Sequence, residues 1–235
     1  MEGYSHALSG ATVGLAAVAL GHVAPVGVVE LTGFTAGMAL LPDLDCVNSC
    51  AARSLGFLSY ATAFVIRFVA RGHRHASHTA IGIAAFTLLA IAACHYRHDD
   101  AGRAGLALLV ALTVAGAVEA LHLVRGHLGD VIGIAAAAAV VFYGQGLAWI
   151  PLAVALGCAT HIAGDSLTES GCMWAWPFSS HRFHLLPGRL AFTTGTRPET
   201  LIVDPLLALA FLVLAARGIT VAVDPAAWAH LIRTI

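Results

Sequence analysis

From Val131 to Gly164 the chain runs for 34 residues without Asp, Glu, Lys or Arg. That is enough for two apolar helices turned near Gly144 to Pro151, each close to the roughly 20 residues that cross a bilayer. Further runs of the same kind surround it. Ala7 to Val29 is uncharged, with Pro25 and Gly27 marking its far end. Leu31 to Pro42 is short and reads as a partial or tilted return helix. Ser54 to Ile66 is apolar and then broken by Arg67, and Thr79 to Cys94 and Ala104 to Val118 are further uncharged runs. A final helix is expected to start near Leu201, to take in Asp204 and to continue through Leu206 to Ala216. A small soluble bundle with these helices would expose large apolar patches. The pattern predicts an all-α fold, a polytopic helical membrane protein forming one domain over 1–235.

Composition agrees. Hydrophobic residues make up 59 % of the chain and charged residues 11 %, against roughly 25 % charged in a soluble domain. Acids (13) nearly cancel bases (12), so no overall field favours nucleic acid. Cys46, Cys50, Cys94, Cys158 and Cys172 form no CxxC pair, which argues against a disulfide framework or a zinc ribbon. Cys94 and Cys158, inside apolar runs, read as small core residues. The first ten residues carry no basic leader and no cleavage pattern, so the first helix reads as a retained membrane segment.

Against this background the polar residues stand out. The segment LPDLD carries Asp43 and Asp45, GHRHASH carries His73, His75 and His78 around Arg74, and HIAGD carries His161 and Asp165. Ionisable groups are costly beside lipid and are kept there for work. Carboxylate and imidazole together suit divalent ions, zinc above all, with manganese or magnesium as alternatives. His161 and Asp165 lie four apart and share one helix face. Asp43 and Asp45 lie two apart, so on a helix they diverge; the segment reads equally as a ligand pair or as a solvated helix stop. Arg74 is suited to forked bonds with an anionic oxygen. His122 and His127 read either way, and His181 and His184, flanking Arg182, as ligands or substrate contacts. His22, His95, His98 and His230 read as packing or solvated residues.

These segments can meet only if the helices alternate so that His6, LPDLD, GHRHASH and HIAGD share one end, and only if Ser54 to Ala70 does not span. An interfacial or re-entrant helix is expected there. In that layout Arg53, Arg67, Arg71, Arg74, Arg125, Arg182, Arg189 and Arg197 lie on the site side, and Arg97, Arg103, Arg217 and Arg233 opposite. The bias points to a cytoplasmic site. Trp174 and Trp176, in the polar block from Asp165 to Glu199, suit the headgroup boundary. There is no GxSxG, P-loop or HExxH.

His6, LPDLD, the HR…SH element (His73, Arg74, Ser77, His78) and HIAGDSLTESG followed by WAWPFSSHRFHL together resemble the YdjM-type inner-membrane metal-dependent hydrolases, over most of the chain. That family is similar to the zinc-dependent phospholipase C and P1 nuclease superfamily, all-helical enzymes with several zinc ions. The resemblance implies His6, Asp43 or Asp45, His73, His78, His161 and Asp165 as ligands of two or more ions. The expectation is an inner-membrane hydrolase in which metal-activated water cleaves a phosphoester, with membrane lipid as partner and Arg74 and Arg182 on the phosphate. The alternatives are a divalent-metal or proton transporter and a non-catalytic protein with a structural metal.

Overall fold

The computed structural model describes residues 1–20 and 27–223. It is all-α. The elements are α1 (Gly3–Ala19), α2 (Val28–Met38), α3 (Cys50–Arg53), α4 (Phe57–Val69), α5 (Ala80–His95), α6 (Asp100–Ala120), α7 (Leu128–Tyr143), α8 (Trp149–Asp165) and α9 (Asp204–Val223). Tight 3-10 turns cover Pro42–Asp45 and Ala76–His78, and a π turn at Glu199–Val203 leads into α9. The expected break between two helices in the long uncharged run is found between Tyr143 and Trp149.

One expectation needs correction. The first helix stops short of the far end expected at Pro25 and Gly27: α1 ends at Ala19, and Val28 already opens α2, before the Leu31 start expected for the return helix. Propensity and polarity barely change around Ala19, so nothing local in the sequence marks a stop there. Pro25, His22, His230 and Arg233 lie outside the described residues.

The helices pack through small residues. Gly157 on α8 meets α2 so closely that a Cβ there would stand 2.6 Å from the Ala39 amide nitrogen. Close backbone approach of this kind is how helices associate where the hydrophobic effect gives no preference between protein and surroundings. α1 and α2 run antiparallel, with Gly10 against Ala36 and Ala39, and Gly14 against Leu31 and Thr35. α6 and α7 do the same, with Gly133 against Ala111 and Ala115 and Gly129 against Glu119. The core between them is built from Leu31, Met38, Leu106, Val110, Ile150 and Val154, all fully buried.

α3 and α4 form an inserted hairpin. Cys50 lies beside Gly116 and Glu119 of α6, Ala51 beside Gly116, and Leu55 and Leu58 reach the level of Ala107 and Ala111. The chain turns at Gly56, whose φ of 57° places it in the region open mainly to glycine. α4 then climbs back until the Arg67 guanidinium donates to the Asp45 carbonyl at 3.2 Å. The turn satisfies its own backbone: Leu55 N–H donates to Ser59 Oγ, and Ser59 Oγ donates to the Gly56 carbonyl, both at 3.0 Å. The opposite face of α4 leaves Phe57, Phe64 and Phe68 exposed.

α6 and the stretch Glu199–Arg217 are long and apolar enough to cross a membrane, and only 6 % of the second is buried in the protein. α4, α5 and α7 are shorter apolar helices.

Candidate metal centre

Four segments converge at one end of the bundle. The Gly157 contact fixes α8 against α2, and one turn later on the same face His161 meets the end of α2: its Nδ1 lies 2.7 Å from the Ala39 carbonyl. That carbonyl can only accept, so Nδ1 carries the proton and Nε2 is left with a lone pair. One further turn brings Asp165 to the same place. Thr79 caps α5 by accepting the Gly82 N–H at 3.1 Å, and the 3-10 turn before it holds His78 fully buried.

His78 is held from behind as well. Its Nδ1 lies 3.3 Å from Asp45 Oδ2 and 3.1 Å from Ser77 Oγ. Its Nε2 faces His161 Nε2 at 3.1 Å. Around that pair stand two carboxylates. Asp43 Oδ1 is 3.6 Å from both Nε2 atoms. Asp165 Oδ2 is 3.6 Å from His78 Nε2 and 3.8 Å from His161 Nε2. A tetrahedral ion with bonds of ~2.0 Å separates its ligand atoms by ~3.3 Å. The five separations that involve the two rings, 3.1 to 3.8 Å, lie near that spacing, and the ring nitrogens converge where a cation would take both lone pairs.

Asp45 is placed differently from Asp43. Its Oδ1 meets His73 Nδ1 at 2.6 Å. Its Oδ2 accepts the Arg74 N–H at 3.1 Å and the Ser77 hydroxyl. Both oxygens are thus engaged within the GHRHASH loop, and Asp45 orients His78, as carboxylates behind metal-ligating histidines do. His73 is 36 % exposed and edges His78, with ring centroids 5.4 Å apart. With Asp43, Asp45 and His78 it forms one set of potential ligands; His6, His161 and Asp165 form the other.

His6 is fully buried and stacks on His161 with centroids 3.7 Å apart, and among the described residues neither of its ring nitrogens makes a well-aligned hydrogen bond. Its Nε2 is 3.3 Å from Asp165 Oδ1. A buried imidazole with two orphaned nitrogens is unusual in a finished core, and His6, His161 and Asp165 form a set that could hold an ion. Arg74 joins the two sets. Its backbone sits at φ 57°, strained for a side-chain-bearing residue, and its Nη2 donates to Asp165 Oδ1 at 3.0 Å. The Met1 amino group reaches the same oxygen.

The charges of the two loops are coupled. Burial alone would lower the pKa of His78, but its bonds to Asp43 and Asp45 outweigh this and raise it to about 9. Burial alone would raise Asp45, yet His73 and His78 bring it down to about 2. Asp43 moves the same way: the nearby histidines, His161 first, overcome the cost of its burial and hold it well below the usual carboxylate range.

Other expected residues lie elsewhere. Arg182 is exposed and donates to the Ser170 carbonyl at 3.0 Å, and His184 Nε2 lies 3.1 Å from the Glu169 carbonyl. His181 edges Phe183. His122 stacks on Tyr4, and His127 meets Asp130. Trp174 donates to Ser166 Oγ at 2.8 Å, directly after Asp165, and Trp176 edges His75. The sequence reading missed the Ala39 carbonyl, which no side-chain pattern reveals, and Glu199, which is fully buried and accepts from Ser5 Oγ and from the Glu2 and Gly195 N–H groups.

The model of the YdjM inner membrane protein family matches residues 1–223. No curated protein and no solved structure matches the chain. With nearly its whole length covered, including every segment that contributes to the centre, the chain belongs to the YdjM inner membrane protein family.

Proposed function

We propose that this protein is a polytopic inner-membrane hydrolase that uses one or more divalent ions, zinc first, to cleave a phosphoester presented at the membrane surface. The observation that carries the reading is the buried meeting of His78 Nε2 and His161 Nε2 between Asp43 and Asp165. Those four side chains would hold the central ion, with His6 beside Asp165 as a further donor and Asp45 holding His73 and His78 in place. A divalent ion, when bound, supplies Lewis-acid activation of water and of a phosphoryl oxygen. The chain supplies the rest. Asp45 and the Ala39 carbonyl fix which ring nitrogens face the ion. Arg74, 15 % exposed and bonded to Asp165 at 3.0 Å, would bind a phosphate oxygen by exchanging that bond. Arg182, turned to Ser170, would reach substrate only by leaving that bond.

In this reading the α3–α4 hairpin is re-entrant. At 13 residues, α4 is ~20 Å long, short of the ~30 Å hydrocarbon core. Its tip can stay in lipid because Ser59 satisfies the turn. The arginine bias would put the centre on the cytoplasmic side.

A structural metal is the second reading, because four protein donors would fill a tetrahedral shell, the habit of structural zinc. Catalysis requires a wider shell or water sharing the place of Asp43. The test is metal content and phosphodiesterase turnover of purified protein beside His161→Ala and Asp165→Asn. Loss of both metal and turnover supports the hydrolase. Metal lost from the variants with no turnover in the parent on any phosphoester supports the structural ion. Unchanged metal content in both variants removes the centre altogether.

A further inference from the structure

A groove of about 680 Å³ runs between α6 and α7 beside the tip of the α3–α4 hairpin. Its floor is nearly bare of side chains, made by Ala107, Ala111, Ala137 and Ala138, and Leu58 forms one wall. At its site-side end stands Asp130. One oxygen of Asp130 lies 3.3 Å from His127 Nδ1; the other is buried and has no partner among the described residues. Glu119 lies just above, folded over Gly129, and its own oxygen is taken by the Cys50 thiol.

The dimensions select the occupant. From Asp130 to Val141 the helix rises ~16 Å, about half the ~30 Å core of a bilayer. A chain in a single leaflet has that reach. A helix from a second copy would be ~10 Å wide and would need the full depth, with the hairpin tip standing beside its path. The Asp130 carboxylate at the headgroup end is 23 % exposed and carries one oxygen without a donor among the described residues; an ammonium makes the stronger, charge-assisted bond to such a group. We propose that this groove is a binding site for one acyl chain of an amine-headed phospholipid, whose ammonium bonds to Asp130. The inference depends on membrane insertion of the bundle, not on hydrolysis.

The test uses the full-length protein, delipidated in mild detergent and titrated with phosphatidylethanolamine or phosphatidylglycerol under native mass spectrometry. The expected result is one phosphatidylethanolamine per chain, favoured about tenfold over phosphatidylglycerol. Ala138→Phe fills the floor and abolishes retention of both lipids. Asp130→Asn keeps the chain but removes the headgroup preference. Unchanged metal content reports that each variant is folded; if Ala138→Phe fails that check, Asp130→Asn alone decides. Equal binding of the two lipids by the parent protein overturns the proposal, as does a dimer that Ala138→Phe dissociates. Release from membranes by alkaline carbonate would overturn the insertion on which it rests, and leaves the metal centre untouched.

Discussion

His78 and His161 aim their Nε2 atoms at each other across 3.1 Å while the Nδ1 of each is engaged from behind, one by Asp45 and Ser77, the other by the Ala39 carbonyl. Two imidazoles so constrained have little freedom to turn away. Each Nε2 is aimed in advance at one point, and the geometry is set by groups that would not themselves touch an ion.

Asp45→Asn isolates that arrangement. The amide keeps the shape but gives up the charge behind His73 and His78. Metal affinity should fall ~10–100-fold while the direct ligands remain. Isothermal titration with zinc measures it, and an unchanged Kd would mean that Asp45 does not orient the centre.

Binding should depend on pH through His78. Its raised pKa of about 9 means that the metal-free protein carries a proton there at neutral pH, and an ion must displace it. Affinity should therefore climb by up to tenfold per pH unit toward 9 and flatten above it, with a proton released to buffer on binding. Titrations at pH 6, 7 and 8 in buffers of different ionisation enthalpy would show both effects. A flat affinity over that range would place the proton elsewhere.

Gly157→Val should disable the centre from a full helix turn away. The branched side chain would have to displace the backbone of Met38 and Ala39, at a cost of ~1–3 kcal/mol for overpacking. His161 would then move off the Ala39 carbonyl. The expected outcome is lower thermal stability together with lost metal; full metal content with the fold intact would show that the close approach does not set the site.

Topology can be read by cysteine labelling. In a background without native cysteines, Ser179→Cys in the block after α8 and Gln145→Cys between α7 and α8 should react with impermeant maleimide from opposite sides of sealed vesicles. Labelling of both from one side would break the alternation of helices on which the membrane reading stands.

Much of this molecule is legible in its sequence because lipid-compatible helices need long uncharged runs, and those runs, with the histidines and acids gathered at their ends, are local properties of the chain. The break near Gly144, the short helix after Gly56 and the helical spacing of His161 and Asp165 all follow from that. Where α1 stops does not, since an Ala- and Gly-rich run reads the same on both sides of a boundary. Nor does the division of labour between Asp43 and Asp45: residues two apart are equivalent on paper, and only the fold of the GHRHASH loop engages one with Ser77, His73 and the Arg74 amide while leaving the other to face the paired ring nitrogens of His78 and His161. The Ala39 carbonyl and the doubly orphaned His6 are likewise products of helix packing. Ligand chemistry is written residue by residue, but distance between segments more than a hundred positions apart is decided only when Gly157 lets two backbones touch.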